Sequence, residues 1–219
     1  MSKHIAVIPA RKGSVGFKFK NRKFFSLTAD FLDNSKLYDE VVVSTNDEVI
    51  KEYASERGYT VHHRGEVLSE GDVSIKAVFD NLQEEFKFKP DDVLWLFYLP
   101  ILYKNKADFE AAQRVFNDKK LDSLMTFVTS NTHPYTCWKM VNDRPVQFIV
   151  NDVFRRQDMP PAWSHYHYVS GTRVSYLKSV NQELLGQNTF PILLDDLVKN
   201  KLVEIDTPED LEKWNRLQT

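Results

Sequence analysis

The sequence predicts an α/β protein with a mostly parallel sheet and helices on both faces of that sheet. Three observations indicate this class. Short continuous apolar runs recur along the chain, segments with helical periodicity lie between them, and 219 residues are enough for a domain with its own core. Continuous apolar runs are typical of strands covered on both faces. We therefore predict a single domain over residues 1–219.

The first half of the chain shows the alternation most clearly. Four predicted strands lie at residues 4–8, 41–45, 93–98 and 123–128. Helices are predicted over 47–57, which Gly58 ends, over 74–86 with a 3.6-residue apolar period, and over 106–116. Strands that alternate with helices in this way are typical of a parallel α/β sheet.

Residues 131–170 interrupt this alternation. They contain four prolines and no helical period, so we predict an insertion with hairpin strands near 139–141 and 146–150. The sheet is predicted to resume at 172–177 and at 202–205. A final helix is expected after Thr207, because Pro208 suits the first helical position and acidic residues follow it.

Composition excludes several functional classes. The chain has 29 Lys and Arg against 31 Asp and Glu, a net charge of -2, so it lacks the basic footprint of a nucleic-acid binder. The single Cys137 permits neither an internal disulfide nor a cysteine-based zinc site. The N-terminal apolar run is too short for a signal peptide or a membrane span. We therefore expect a cytoplasmic protein with no membrane partner.

The segment directly after the first predicted strand carries the strongest functional signal. Ligands of open α/β sheets bind beyond the carboxyl ends of the strands. Gly13 and Gly16 let the backbone turn N–H groups toward an anion. Six cationic side chains lie within thirteen residues: Arg11, Lys12, Lys18, Lys20, Arg22 and Lys23. This pattern favours a site for a polyphosphate, and a solvated basic loop is the alternative.

The sequence IPARKGSVGFKFKN at residues 8–21 resembles the nucleotide-binding loop of the CMP-sugar synthetases, the cytidylyltransferases that activate sialic, pseudaminic, legionaminic and KDO-type sugars. Its matching positions are Ala10, Arg11, Ser14, Gly16, Lys20 and Asn21. Further segments resemble the family in the same order: YDEVVVSTND, RGEVL at 64–68, RRQD at 155–158 and VEIDTPED at 203–210. The resemblance covers nearly the whole chain. It implies a Rossmann-like fold and a homodimer formed through the insertion at about 131–170.

The resemblance also implies a reaction, in which a sugar hydroxyl attacks the α-phosphate of CTP and pyrophosphate is released. CTP and an acidic sugar are then the partners, and Mg²⁺ is the cofactor. The implied catalytic residues are Arg11, Lys20 and Asp206. The implied nucleotide-binding residues are Ala10, Arg11, Ser14, Gly16, Lys20, Asn21 and Arg64, and the implied sugar-binding residues are Arg156 and Gln157.

Glu204 and Asp206 are the candidate Mg²⁺ ligands. They stand two apart on a predicted strand, so their side chains project from one face, and carboxylate oxygens suit this ion. Each assignment has a plainer alternative. Asp206 could instead cap the last helix, Arg64 could form a structural ion pair, and Arg156 could be one of a surface pair with Arg155.

Some positions depart from the family pattern. Val15 stands where a loop lysine is expected, and Phe97 to Tyr103 replace a segment that carries Gln and Arg in the sialic-acid enzymes. These departures leave open a different sugar or alcohol acceptor, or a homologue that binds nucleotide or sugar without turnover. His165 and His167 stand two apart, but no third metal ligand is evident nearby, so we predict aromatic packing at a subunit interface.

Overall fold

A computed structural model describes residues 2–13 and 16–217. In this part of the chain, seven strands form the main sheet: β1 (His4–Pro9), β2 (Glu40–Thr45), β3 (Thr60–His63), β4 (Val93–Leu96), β5 (Ser123–Thr129), β8 (Trp163–Arg173) and β9 (Thr189–Leu193). Their order is β3-β2-β1-β4-β8-β5-β9, and only β8 runs antiparallel to its neighbours. Strands β6 (Trp138–Val141) and β7 (Arg144–Gln147) form a separate hairpin.

The helices are α1 (Lys20–Ser35), α2 (Glu48–Glu56), α3 (Ile75–Phe86), α4 (Lys106–Asp118), α5 (Asp196–Lys199) and α6 (Pro208–Arg216). The side chains of Asp47, Ser74 and Asn105 accept hydrogen bonds from the first turns of α2, α3 and α4. Thr207 and Asp210 form a reciprocal capping box at the start of α6. The local sequence thus fixes where these helices begin.

The core lies on both faces of the sheet, as predicted. Ala6 and Ile8 of β1 belong to the cluster beneath α1, α2 and α4. Ile5 and Val7, which point the other way, pack with α3 and with the 3₁₀ segment Val174–Ser179. The Rossmann-like class with helices on both faces is therefore confirmed.

The second half of the chain differs from the sequence prediction. Strand β8 begins at Trp163, so residues 163–170 of the predicted insertion pair within the main sheet. The strand predicted at 172–177 ends at residue 173 and continues as a 3₁₀ helix. The strand predicted at 202–205 is wrong, because those residues form only an isolated bridge from Glu204 to Ile101. The apolar Val203 and Ile205 pack in a small cluster with Phe17 and Phe24, and Ile205 N–H donates to Pro100 O in the loop after β4.

Helix α1 and strand β9 were not predicted. The α1 sequence is largely polar, and only part of it is buried. Strand β9 lies at the edge of the sheet, is half exposed, and contains Pro191, so it lacks the continuous apolar run of an inner strand.

The strand order places a crevice between β1 and β4. From β1 the chain builds outward through β2 and β3, and β4 then begins the other half of the sheet. This is the switch point at which open α/β sheets bind ligands beyond the carboxyl ends of the strands. No helix in the described ranges is long and apolar enough to span a membrane.

Candidate functional site

A cleft of about 730 Å³ lies over the carboxyl ends of β1 and β4. Its walls come from the loop after β1, the start of α1, the segment after β3 and the loop that precedes α3. The residues after β4 and the first residues of β8 complete it, because an antiparallel strand begins where its parallel neighbours end. Its volume is that of a small-molecule site.

One wall of the cleft is cationic. Arg11 follows β1, Lys20 begins α1 and Arg64 follows β3, and all three line the cleft. Arg64 is only 4% exposed, and its Nε donates to Leu68 O at 2.6 Å. Burial, and then the charge of Arg11, lower the pKa of Arg64 to about 10. A bound anion would relieve this repulsion between two guanidinium groups, and Arg64 has no ion pair within the described ranges.

Other predicted loop residues hold the loop in place. Asn21 is buried, and its Nδ2 donates to Arg11 O at 2.8 Å. Ala10 N–H donates to Ser44 O at 2.8 Å. Gly16 packs against the other side of the cleft, where an added Cβ would lie 2.5 Å from Asp206 O. These contacts shape the loop that carries Arg11. Ser14 and Val15 lie outside the described residues.

A second wall, next to the cationic one, is acidic. Glu204 lines the cleft, and burial followed by the charge of Asp206 raises its pKa. The two carboxylates are therefore close, although no regular strand carries them. Lys20 Nζ lies 2.5 Å from Asp206 Oδ1 and also donates to Ile205 O at 3.3 Å. The side chain of Asp206 thus faces Lys20, and Asp210 makes the reciprocal cap of α6.

The Glu204 and Asp206 pair fits Mg²⁺. The pair offers hard oxygen donors beside a cationic wall, and Mg²⁺ in proteins commonly takes one or two carboxylates together with substrate phosphates. Two neighbouring carboxylates concentrate negative charge, so a positive charge would be favourable at this position. Lys20 partly supplies that charge through its ion pair with Asp206.

The sequence reasoning missed several residues of this cleft. Tyr98 follows β4, and burial, followed by the charges of Glu204 and Asp206, raises its pKa to about 12. Its hydroxyl therefore stays protonated and can donate a hydrogen bond to a ligand. Its position directly after a strand is the sequence signal for it. Other lining residues from distant segments are Asp72, Ser74, His165, Tyr166, His167, Gln182 and Glu183.

Arg156 and Gln157 lie elsewhere, in a short 3₁₀ turn of the insertion. Arg156 lines a second cavity, of about 510 Å³, together with Phe154 and Trp163. Arg155 pairs with Asp158 at 2.6 Å. Within one chain, the structure therefore does not bring Arg156 into the cleft, and its role in sugar binding stays a prediction.

Comparisons with known proteins agree with this geometry. The sequence profile of the family described as "Cytidylyltransferase" matches residues 5–218. An N-acylneuraminate cytidylyltransferase of Streptococcus agalactiae serotype V is 26% identical over 172 residues, which cover 74% of this chain and 41% of that protein. Post-translational flagellin modification protein B of Campylobacter coli is 28% identical over 208 residues, covering 90% and 88% of the two chains. The chain thus spans less than half of the first relative.

Solved structures share the fold. CMP:2-keto-3-deoxy-manno-octonic acid synthetase in complex with CTP superposes with a TM-score of 0.64, 16% identity, and coverage of 99% and 98% of the two chains. A 4-diphosphocytidyl-2C-methyl-D-erythritol synthase from Anaerococcus prevotii gives 0.60, 14% identity, and coverage of 100% and 99%. With its profile match over residues 5–218 and a cleft at the switch point of its sheet, the chain belongs to the cytidylyltransferase family.

Proposed function

We propose that this protein transfers CMP from CTP to an acidic sugar and releases pyrophosphate. One observation carries the proposal: Arg11, Arg64, Lys20 and Glu204 line one cleft, and Lys20 is ion-paired with Asp206. A nucleoside triphosphate needs cations around its phosphates, and carboxylates beside it suit a bound Mg²⁺. The acidic-sugar acceptor rests on the related N-acylneuraminate cytidylyltransferase and on the initial resemblance.

Each wall has a separate task in this reaction. Arg11 and Arg64 bind the triphosphate, and Lys20 leaves Asp206 to contact a phosphate when the nucleotide enters. Glu204 and Asp206 would hold Mg²⁺, which supplies charge neutralisation on the phosphate oxygens when bound. The sugar hydroxyl oxygen forms a bond to the α-phosphorus and releases its proton to water, while the bond from the α-phosphorus to the bridging oxygen breaks with its electron pair going to pyrophosphate. Catalysis here consists mainly of positioning and electrostatic stabilisation.

A pyrophosphate-release screen tests the proposal. CTP, UTP, ATP and GTP are each combined with a panel of acidic sugars and Mg²⁺, and we expect release with CTP and an acidic sugar. Asp206→Asn keeps the shape of the side chain and removes its charge, so we expect turnover to fall sharply at low Mg²⁺. Glu209→Gln, in the exposed first turn of α6, is the matched control.

The outcomes separate the parts of the proposal. Release with a neutral acceptor or with another nucleotide would overturn the stated substrate class. CTP binding without release would indicate a catalytically degenerate homologue. Near-normal turnover of Asp206→Asn at low Mg²⁺ would show that another group holds the metal.

We further propose that the protein is a homodimer through the insertion at 131–170. Apolar side chains in this segment lie in solvent, with Phe154 86% and Val150 89% exposed. Trp138, Met140 and Phe148 are also exposed. Exposed apolar patches of this kind mark interaction surfaces, and aromatic residues are enriched at interface centres. Arg156 lies beside Phe154 in the second cavity, so in a twofold dimer it would be placed to contribute to a sugar site shared between subunits.

Sedimentation at micromolar concentration tests the dimer. We expect a species of twice the 25.6 kDa chain mass. A clean monomer would overturn both the dimer and a sugar site that is shared between subunits. A cytoplasmic location also stays our prediction, on the composition of the chain.

A further inference from the structure

The cleft contains a cluster that the transfer reaction does not use. His165 and His167 stand in β8 and Glu183 follows the 3₁₀ segment Val174–Ser179; all three line the cleft. Their side-chain ligand atoms lie within 4.8 Å of one another. The sequence showed only the two histidines, because Glu183 is distant along the chain and lies in an irregular segment.

The backbone of β8 directs both histidines to one place. Its pairing with β5 shifts between Met125 and Thr126, so residues 167–169 have no partner residue in β5. Such an irregularity re-aims side chains, and the Thr126 hydroxyl supports it by donating to Tyr166 O at 2.5 Å. The two imidazole rings lie 5.5 Å apart between centroids.

Glu183 is presented by an ordered turn. Asn181 Oδ1 accepts hydrogen bonds from the backbone N–H groups of Glu183 and Leu185, both at 3.0 Å. Leu184, between them, is buried in the core. The carboxylate is therefore held at the cluster by a fixed backbone, although its own side chain is half exposed.

The distances suit a metal with short bonds. Glu183 Oε2 lies 2.9 Å from His167 Nε2 and 3.8 Å from His165 Nε2. Bonds of about 2.0–2.2 Å in tetrahedral geometry separate ligand atoms by roughly 3.3–3.6 Å. One observed separation is shorter than this range and one is longer, and all three ligand atoms lie within 4.8 Å of one another, so side-chain rotations would bring them to bonding geometry.

Comparison with His62 argues against a purely structural role. Both ring nitrogens of His62 have partners, Ser44 Oγ at 2.8 Å and Asn81 Oδ1 at 2.9 Å. In His167 only Nε2 has one, and Nδ1 is buried without a hydrogen-bond partner among residues 2–13 and 16–217. The polar interactions of the His167 ring are thus directed at the cluster.

We propose that His165, His167 and Glu183 bind a zinc-type divalent ion in the cleft, separately from the Glu204 and Asp206 pair. Two imidazoles and one carboxylate are a ligand set for Zn²⁺ or another first-row transition metal, whereas Mg²⁺ prefers oxygen alone. Three protein ligands leave a coordination position free. That position belongs to a cleft with a cationic wall, so its ligand is water or an oxygen atom of a bound anion.

Zinc titration of the chelator-treated protein tests the site, with a chromophoric chelator as competitor. We expect one Zn²⁺ per chain. His165→Gln, His167→Gln and Glu183→Gln should each weaken zinc binding by at least about tenfold, since even indirect contacts to a metal contribute that much. His63→Gln, at the exposed end of β3, and Asp206→Asn are the controls, and both should bind zinc as the native chain does.

Cobalt substitution gives a measurement that does not depend on variants folding. Co²⁺ bound by these three side chains should give the strong visible absorption of four- or five-coordinate cobalt. Weak octahedral absorption, no zinc binding at micromolar concentration, or unchanged affinity in all three variants would overturn the proposal. Loss of CMP transfer in Asp206→Asn with zinc binding intact would separate this site from the proposed function.

Discussion

Strand β4 and strand β6 have similar lengths and apolar content but opposite surroundings. All four residues of β4, Val93–Leu96, are buried between β1 and β8 beneath helices on both faces. All four residues of β6, Trp138–Val141, are exposed, because the β6–β7 hairpin pairs only with itself. An isolated two-stranded hairpin is marginal in water. The main sheet buries its own apolar residues, whereas the apolar residues of β6 stay exposed within the described part of the chain.

Truncating one phenylalanine in each region tests this contrast, and we expect the two variants to differ most in their free energy of unfolding. Phe97 is 1% exposed and stacks on Phe109 at 5.2 Å between centroids. We expect Phe97→Ala to lower the free energy of unfolding by about 3–5 kcal/mol. Phe154→Ala should change it by less than about 0.5 kcal/mol at concentrations where the chain is monomeric. Urea denaturation followed by circular dichroism measures both.

The same two variants also test the proposed dimer. If the proposed dimer forms through the insertion, Phe154→Ala should shift the monomer–dimer equilibrium toward monomer in sedimentation, because this aromatic side chain is 86% exposed in the single chain. Equal losses of monomer stability in the two variants would contradict the contrast between sheet and insertion.

The second largest effect is expected at the cationic wall. Lys20→Ala should weaken CTP binding by roughly 1.5–3 kcal/mol, the contribution of a charge-assisted contact. Calorimetry measures this, and Lys106→Ala, which removes an exposed lysine at the start of α4, is the control. Unchanged affinity in Lys20→Ala, or an equal loss in both variants, would show that Lys20 does not contact the nucleotide.

The contrast also explains what the sequence could predict. Strand β1 and helices α2, α3 and α6 have local signals, either a buried apolar run or a capping side chain, and the structure confirms them. Helix α1 has no side-chain cap, and its buried face, although spaced at helical intervals, includes the polar Asn21, Thr28 and Ser35. Strand β8 begins with exposed residues and is buried only further along. Its sequence therefore shows no single hydrophobic pattern over its full length.

The residues of the candidate site differ in the same way: some have a local sequence signal and others do not. Arg11 and Lys20 could be predicted because they lie in one loop after the first strand. Tyr98 and Glu183 enter the cleft from segments without a motif, and only the sheet order brings them together. Arg156 belongs to the insertion, and one chain alone does not show which surface it meets.

A substitution at Gly16 tests how tightly the loop after β1 packs against the segment that contains Asp206. A Cβ at this position would lie 2.5 Å from Asp206 O, which is a backbone atom and cannot rotate away. We expect Gly16→Ala to lower stability by about 1–3 kcal/mol. Gly65→Ala is the control, because its Cβ would meet nothing within 4 Å. Thermal and urea unfolding measure the stability of both variants. Equal stability of the two would show that the loop after β1 can move away from Asp206 at little cost.

The smallest expected effect is on the pH dependence of stability, and it comes from the buried His62 of the main sheet. Burial lowers the pKa of His62 below its ordinary 6.5, despite Glu85 at 3.4 Å. Below about pH 6.5 the unfolded chain binds a proton that the folded chain does not, so stability falls as the pH drops. His62→Gln should make this fall shallower between pH 7 and 5, while exposed His63→Gln should not. In His62→Gln the free energy of unfolding should still fall with pH, but less steeply, because burial also lowers the pKa of His4 and His167. Urea unfolding at several pH values decides it, and an unchanged slope in His62→Gln would show that His62 is not the group that titrates.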